Sequence, residues 1–188
     1  MGSLQKRLRP RLLFVYAIAG AILYYSRPSA QSLTLGLVPI VLGESLRLWA
    51  TTHLHKNDAL TVSGPYAYLR NPLYLGTLLI GCGFAIVAST SLAYALLGIF
   101  LLGYYVYYMP YKNRIEGARL EALYGDAFRR YASAVPSLLP RLHPYVPLGA
   151  EEGSAPNARE RFLDNNEVGT AAVVGVGVLA LVLRWLII

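Results

Sequence analysis

One arginine and one glutamate are the charged residues of this chain best placed to do chemistry. Arg70 directly precedes Asn71-Pro72, a pair typical of a helix N-cap followed by proline at the first helical position. A guanidinium beside the free N–H groups of a helix amino terminus suits an anion, such as a carboxylate or a phosphate. At a membrane surface, the same arrangement also suits a lipid headgroup.

Glu116 belongs to a second informative segment, residues 113–135. At 100° per residue, the apolar side chains of this segment form one stripe, and Glu116 falls about 40° from its centre. The stripe consists of Leu120, Leu123, Tyr124, Ala127, Tyr131 and Val135. The carboxylate is therefore either a first-turn residue favoured by the helix dipole or a group that binds a ligand. Gly125 is expected to end this helix and Asp126 to begin another.

The chain that positions these residues has the composition of a membrane protein. Of its 188 residues, 55% are hydrophobic and 14% are charged, whereas soluble domains are roughly 45–50% apolar and about 25% charged. We predict one membrane domain over residues 1–188, and we expect the net charge of +7 to mark the cytoplasmic side rather than a nucleic-acid partner. The single cysteine, Cys82, excludes an internal disulfide and a multi-cysteine zinc site, and no metal site is predicted.

Five stretches have the length and composition of a membrane-spanning helix. They cover approximately residues 8–26, 32–50, 72–89, 91–111 and 168–188. Between the third and fourth stretches, Ser89-Thr90-Ser91 leaves room only for a tight helical hairpin. The first stretch also has the basic-then-apolar order of a signal peptide, although residues 27–30 lack a clean small-x-small cleavage site.

The distribution of lysine and arginine predicts the orientation. If five helices alternate, nearly all basic residues fall on one side, and Arg27 and Arg184 fall on the other. The positive-inside rule then places the amino terminus and the segments 51–71 and 112–167 in the cytoplasm. These two segments are expected to form a helical cap that carries the active side of an all-α, polytopic membrane protein.

The second stretch carries two charges, Glu44 and Arg47, that lie three residues apart and so share a helix face. A charge near the centre of a bilayer costs about 2.5–3.5 kcal/mol on insertion scales, and it therefore usually faces the interior of a helical bundle. The favoured interpretation is a structural ion pair between these two side chains.

Two longer motifs surround Arg70 and Glu116. The first reads Gly64-Pro65-Tyr66-x-Tyr68-x-Arg70-Asn71-Pro72-x-Tyr74-x-Gly76. The second reads Glu116-x-x-x-Leu120-x-x-x-Tyr124-Gly125-x-x-Phe128-x-x-Tyr131-x-x-x-Val135-Pro136-x-x-x-Pro140. Over about residues 60–140, they resemble the two signatures of the isoprenylcysteine carboxyl methyltransferase and phospholipid methyltransferase family.

The resemblance implies an integral membrane methyltransferase that binds S-adenosylmethionine without a Rossmann domain. Its methyl acceptor would be lipid-borne or lipophilic, for example a prenylcysteine-like carboxylate, and membrane lipids would be its surroundings. Carried over residue by residue, the resemblance implies catalytic roles for Arg70 and Glu116. The implied cofactor-binding residues are Tyr66, Tyr68, Arg70, Asn71, Pro72, Tyr74 and Glu116.

Two positions depart from the family pattern. Asn71 stands where the family commonly has histidine, and Gly117 stands where it commonly has a second glutamate. Asparagine carries no charge and moves no proton near neutral pH, so these departures bear most on the identity of the acceptor. Three alternatives stay open: a phospholipid amine N-methyltransferase, a non-catalytic relative of the fold, and an NADPH-dependent membrane reductase with a tyrosine as proton donor.

Overall fold

The computed structural model describes residues 10–54, 60–147 and 167–188, with side chains described from residue 17 onward. Every regular element in these ranges is helical, which confirms the all-α class. The six α-helices are α1 (Pro10–Tyr25), α2 (Ala30–His53), α3 (Pro72–Ala88), α4 (Ser91–Gly103), α5 (Met109–Ala134) and α6 (Glu167–Ile187). A 3-10 turn at Gly64–Ala67 precedes α3, and a π-helical turn at Tyr104–Tyr108 joins α4 to α5.

Each of the five predicted spanning stretches contains a helix. By length and composition, three helical runs can cross a bilayer: Ala30–His53, Ser91–Ala134 and Glu167–Ile187. The helix at Pro72–Ala88 is apolar but shorter. Residues 8–9, 55–59 and 148–166 of the predicted spans and cap segments lie outside the described residues. The count of five spans and the cytoplasmic orientation stay predictions.

Helices α2 and α3 pack in close antiparallel contact through two pairs of glycines. A Cβ atom built on Gly36 would lie 2.6 Å from the carbonyl oxygen of Gly83, and one built on Gly83 would lie 2.5 Å from the carbonyl oxygen of Gly36. Gly43 and Gly76 have the same reciprocal relation, at 2.5 and 2.7 Å. Because only hydrogen atoms fit between these backbones, the two helices approach closely, as small residues allow in membrane bundles. This packing fixes the first turn of α3 against α2.

The predicted hairpin between α3 and α4 is confirmed. Ser89 ends α3 in the left-handed conformation with φ of 52°. Thr90 then caps α4, since its hydroxyl accepts a hydrogen bond from the backbone N–H of Ala93 at 3.2 Å. The chain therefore reverses within two residues, and α4 is antiparallel to α3.

The predicted break at Gly125 is also confirmed. Its φ of 52° and ψ of −126° interrupt an otherwise helical segment. Before that break, helical structure runs without interruption from Ser91 through the π-helical turn into α5. The segment that carries Glu116 is thus a direct extension of an apolar helix, and it is kinked at Gly125, nine residues after Glu116.

The predicted ion pair between Glu44 and Arg47 is wrong. Arg47 instead pairs with Glu167 at the start of α6, with 2.5 Å between Nη2 and Oε1. Its Nη1 also donates to the hydroxyl of Thr77 at 2.6 Å and to the carbonyl oxygen of Leu73 at 3.3 Å. Both carboxylate oxygens of Glu44 are buried without a hydrogen-bond partner in the described part of the chain. Arg47 therefore joins α2, α3 and α6, whereas helix spacing alone indicated only a partner within α2.

Candidate functional site

A cavity of about 270 Å³ lies between the segment that precedes α3 and the face of α5 from Asn113 to Tyr131. It brings together four of the residues predicted for the site: Tyr66, Arg70, Asn71 and Glu116. The remaining described lining is mostly apolar and aromatic, and it includes Leu120, Leu123, Tyr124, Phe128 and Tyr131. The apolar stripe of α5 thus faces the cavity, and Glu116 shares that face as the helical arithmetic predicted.

Backbone hydrogen bonds hold the two motif segments against each other. They run from Arg70 N–H to the Pro136 carbonyl (2.8 Å), Asn71 N–H to Ser137 (3.1 Å), Arg141 N–H to Tyr68 (3.0 Å) and Tyr145 N–H to Ala67 (2.9 Å). The buried hydroxyl of Tyr131 adds a bond to the carbonyl oxygen of Tyr66 at 2.8 Å. The segment that follows α5 therefore fixes the cavity wall that carries Arg70, and the two distant motifs form one structural unit.

Asn71 has a different role from the predicted side-chain cap. It occupies the N-cap position of α3, but its side chain makes no capping hydrogen bond. Its amide nitrogen instead donates to the carbonyl oxygen and the hydroxyl of Ser137, at 3.1 and 2.9 Å. The Ser137 hydroxyl in turn donates to Oδ1 of Asn113 at 3.2 Å. Asn71 thus links the start of α3 to the segment after α5 at the edge of the cavity.

Arg70 supplies the cavity with a permanent positive charge. Its Nε is buried and has no hydrogen-bond partner among the residues that the structure describes. Burial raises the pKa of the neighbouring Tyr131 phenol well above its usual range, and the charge of Arg70 opposes this only in part. The phenol therefore stays protonated near neutral pH and donates its hydrogen bond, while Arg70 retains capacity for an anion.

Glu116 supplies the negative charge of the cavity. Its side chain is 49% exposed, and it forms an ion pair with Lys112, one helical turn earlier, at 3.4 Å. Burial raises the pKa of the Tyr66 phenol, and the nearby Tyr131 and Glu116 raise it further. The carboxylate is thus close enough to act electrostatically on a buried group of the opposite wall, which leaves Tyr66 as a hydrogen-bond donor rather than a base.

Three residues predicted to bind the cofactor do not line this cavity. Tyr68 lies near Trp49, with ring centroids 6.4 Å apart. Pro72 is fully buried at the first turn of α3. Tyr74 packs against the tyrosines of the π-helical turn and lies beneath the ammonium of Lys112, 4.3 Å from the ring centroid. Their proposed contacts with a cofactor stay predictions.

Several cavity residues were not singled out as site residues from the sequence. Phe128 and Tyr131 both belong to the second motif, which could have identified them, but Glu116 was the only residue of that motif predicted to lie in the site. Asn113 and Arg119 line the cavity from the exposed and polar positions of α5, and nothing in their spacing marked them. Within the described ranges, no group of three or more His, Cys, Asp or Glu side chains is placed to hold a metal ion.

The fold and the cavity define a helical membrane protein whose two motif segments line a shared cavity. The family model for phospholipid methyltransferases matches residues 32–127, which is half of the chain. The chain therefore belongs to the phospholipid methyltransferase family, a family of membrane methyltransferases.

Two curated relatives have names from metal resistance. The cobalt-zinc-cadmium resistance protein CzcN of Cupriavidus metallidurans is 31% identical over 149 residues, covering 72% of this chain and 63% of the relative. The nickel-cobalt-cadmium resistance protein NccN of Alcaligenes xylosoxydans xylosoxydans is 32% identical over 118 residues, covering 61% and 52%. The chain thus matches less than two thirds of the length of either relative. No solved structure matches the chain.

Proposed function

We propose that this protein transfers a methyl group from S-adenosylmethionine to a lipophilic acceptor that it takes from the membrane. The observation that carries the proposal is that one cavity is lined by both Arg70 and Glu116, one from each family motif. Family membership supplies the reaction class, and the cavity supplies a pair of opposite charges at one site. Both charged residues are proposed to act in this cavity.

The residues present fit the polar end of S-adenosylmethionine. The guanidinium of Arg70, with its buried Nε, suits the carboxylate of the amino-acid part. The half-exposed carboxylate of Glu116 suits the ammonium group. The aromatic rings of Tyr124 and Phe128 on the same wall suit the sulfonium and the base, because aromatic faces attract cations and stack on planar rings. The cavity volume of about 270 Å³ is slightly below the usual range for small-molecule sites, roughly 300–1,000 Å³.

When bound, the cofactor supplies an electrophilic methyl group on its sulfonium. The protein residues then have to hold both reactants in line and exclude water. Because burial raises the pKa of the Tyr66 and Tyr131 phenols, both stay protonated and do not act as bases near neutral pH. An ionised carboxylate acceptor needs no base, whereas an amine acceptor needs one. Since Glu116 is assigned to the cofactor, this site favours a carboxylate acceptor.

Because Arg70 is assigned to the cofactor, Arg119, which also lines the cavity, is proposed as a cation that orients such an acceptor. Two neighbouring arginines, Arg114 and Arg141, fit this role less well. Arg114 is exposed and does not line the cavity, and Arg141 donates from Nη1 to the carbonyl oxygen of Ala134 at 3.1 Å.

Methyl transfer from radiolabelled S-adenosylmethionine into the lipid-soluble fraction tests the proposal. The detergent-purified full chain is incubated with a membrane lipid extract, a prenylcysteine analogue, or an ethanolamine phospholipid. We expect incorporation with wild-type protein and at least a tenfold loss in Glu116→Gln and in Arg70→Gln. Glu121→Gln is the matched control, because Glu121 is on the same helix with 48% of its side chain exposed and pairs with Arg129 away from the cavity.

The acceptor that takes up label decides between the open alternatives. Label in the prenylcysteine analogue supports the carboxylate reaction, and label in the ethanolamine phospholipid supports the N-methyltransferase. Full activity in Glu116→Gln or Arg70→Gln would refute the assignment of these residues. Absence of label from every acceptor, together with NADPH-dependent reduction of a lipid alkene, would replace the proposal with the reductase.

The metal-resistance names of CzcN and NccN suggest a cellular setting for this activity. We extend the proposal to that setting: the methylated acceptor is a membrane component whose modification affects tolerance to cobalt, zinc or cadmium. Growth of cells that express wild-type protein or Glu116→Gln in graded concentrations of each cation tests this extension. If both strains tolerate the cations equally, methyl transfer does not contribute to metal resistance and the extension is wrong.

A further inference from the structure

Lys112, the ion-pair partner of Glu116, lies between the cavity and a group of aromatic side chains. Its ammonium is 3.4 Å from Oε2 of Glu116 and 4.3 Å from the ring centroid of Tyr74. The side chain is 27% exposed. Its positive charge therefore has two partners: a carboxylate that lines the cavity, and the face of a tyrosine that does not.

Tyr74 forms a tyrosine cluster with Tyr104 and Tyr108. Their ring centroids are 5.5 to 6.4 Å apart, and the Tyr108 hydroxyl donates to the Tyr74 hydroxyl at 3.4 Å. The Tyr104 hydroxyl is buried and has no hydrogen-bond partner in the part of the chain that the structure describes. A buried donor of this kind favours a polar group as its neighbour. The tyrosine cluster thus offers hydroxyl groups, and Lys112 adds a cation next to Tyr74.

The π-helical turn explains how this cluster meets an apolar surface. Such turns alter the register of a helix and are frequent at functional sites. Here the turn buries Tyr104, while Tyr105, Val106 and Tyr107 are 60%, 69% and 72% exposed. The tyrosine cluster is thus continuous along the chain with an exposed apolar turn, and Lys112 links it to Glu116 at the cavity. A lipophilic molecule with a charged end can therefore meet apolar side chains and a cation in this region.

We propose that Lys112 is a positioning residue that binds an anionic group of the lipophilic acceptor and becomes free to do so when the cofactor binds. This inference rests on the proposed function. The ammonium of the cofactor would replace Lys112 as the partner of Glu116. Lys112 would then lack a counter-ion beside the tyrosine cluster, and a carboxylate or phosphate on the acceptor would supply one. Each ligand therefore strengthens the binding of the other, because coupling between two sites is reciprocal.

Calorimetry on the detergent-purified full chain measures this coupling without turnover. S-adenosylhomocysteine carries the same ammonium as the cofactor and serves as the first probe. Oleate, dioleoyl phosphatidate and the neutral oleyl alcohol serve as second probes. We expect saturating S-adenosylhomocysteine to tighten the binding of one or both anions about fivefold or more, and to leave oleyl alcohol unchanged.

Three variants test the role of Lys112. Lys112→Met is expected to abolish the coupling and to bind S-adenosylhomocysteine about twofold more tightly, since the internal competitor for Glu116 is gone. Lys112→Arg is expected to retain the coupling, which a loss of packing alone would not explain. Arg114→Met removes an exposed cation from the same helix outside the cluster and is expected to behave as wild type.

The outcomes separate this inference from the proposed function. Coupling with oleate alone supports a lipophilic carboxylic acid as acceptor, and coupling with phosphatidate alone supports a phospholipid. If wild-type protein binds S-adenosylhomocysteine but Lys112→Met keeps full coupling, or no anion responds, the role of Lys112 is refuted and the methyltransferase proposal stands. If wild-type protein does not bind S-adenosylhomocysteine, the proposed function fails and this inference fails with it.

Discussion

Because Arg47 forms an ion pair with Glu167 and not with Glu44, we expect neutralisation of these two glutamates to change the stability of the protein differently. The Arg47 and Glu167 side chains are only 14% and 4% exposed. Removal of one partner from a buried pair costs about 3–5 kcal/mol, because the other charge stays buried without compensation. In Glu167→Gln, Arg47 keeps its hydrogen bonds to Thr77 and Leu73. We therefore expect a loss at the lower end of the range, about 3 kcal/mol.

The matched substitution Glu44→Gln is expected to behave in the opposite way. Both Glu44 oxygens are buried without a hydrogen-bond partner in the described ranges. Leaving a buried polar group unsatisfied costs about 1–3 kcal/mol, and the cost is larger when the group is charged. Removal of the charge should therefore leave the free energy of unfolding unchanged or raise it by about 1 kcal/mol.

Unfolding by sodium dodecyl sulfate, followed by tryptophan fluorescence, measures both effects. Trp49 is on α2 close to Arg47, and Trp185 is on α6, so the signal reports the two helices that the pair joins. A double-mutant cycle should give a large coupling energy between Arg47→Met and Glu167→Gln, and a much smaller one between Arg47→Met and Glu44→Gln. A destabilisation by Glu44→Gln equal to that of Glu167→Gln would contradict this difference and restore the pairing within α2.

Three further perturbations address the fold and the cavity wall. Gly36→Ala places a Cβ atom 2.6 Å from the Gly83 carbonyl oxygen and should lower the free energy of unfolding by about 1–3 kcal/mol. In the control Gly98→Ala, the Cβ atom meets nothing within 4 Å, and the free energy of unfolding should not fall. Thermal melts of both variants in detergent measure the difference. Asn71→Ala loses two amide hydrogen bonds and should cost about 1–2 kcal/mol in the same assay, and an unchanged melt would contradict the link it forms. Burial raises the pKa of Tyr131 above its ordinary value of about 10, so the stabilisation by its neutral phenol is present below about pH 10 and is lost as the pH rises through the folded pKa. Stability measured from pH 8 to 11 should therefore fall at the alkaline end, less steeply in Tyr131→Phe, and identical slopes would refute this account.

The features that the sequence predicted correctly have local causes. Proline at the first turn starts α3, the short Ser89-Thr90-Ser91 connection forces a hairpin, and Gly125 adopts a positive φ that most side chains disfavour. Helical periodicity also placed Glu116 on the face that lines the cavity. Each of these follows from a few neighbouring residues.

The features that the sequence did not reveal depend on distant contacts. The partner of Arg47 is Glu167, 120 positions further along the chain, and the partner of the Asn71 amide is Ser137. No spacing rule within a helix reports such pairs. Tyr74 and Lys112 meet beside the π-helical turn, where an arithmetic of 100° per residue no longer holds.

Binding of S-adenosylmethionine to the detergent-purified full chain, measured by calorimetry with NADPH as the control titrant, is the decisive test of the proposed cofactor site. We expect saturable binding to wild-type protein and to Glu121→Gln. In Glu116→Gln, the loss of a charge-assisted hydrogen bond, about 1.5–3 kcal/mol, predicts binding weaker by roughly tenfold to a hundredfold. Equal affinity of Glu116→Gln and wild type would contradict the assignment of the cavity, and binding of NADPH in place of S-adenosylmethionine would contradict the proposed reaction.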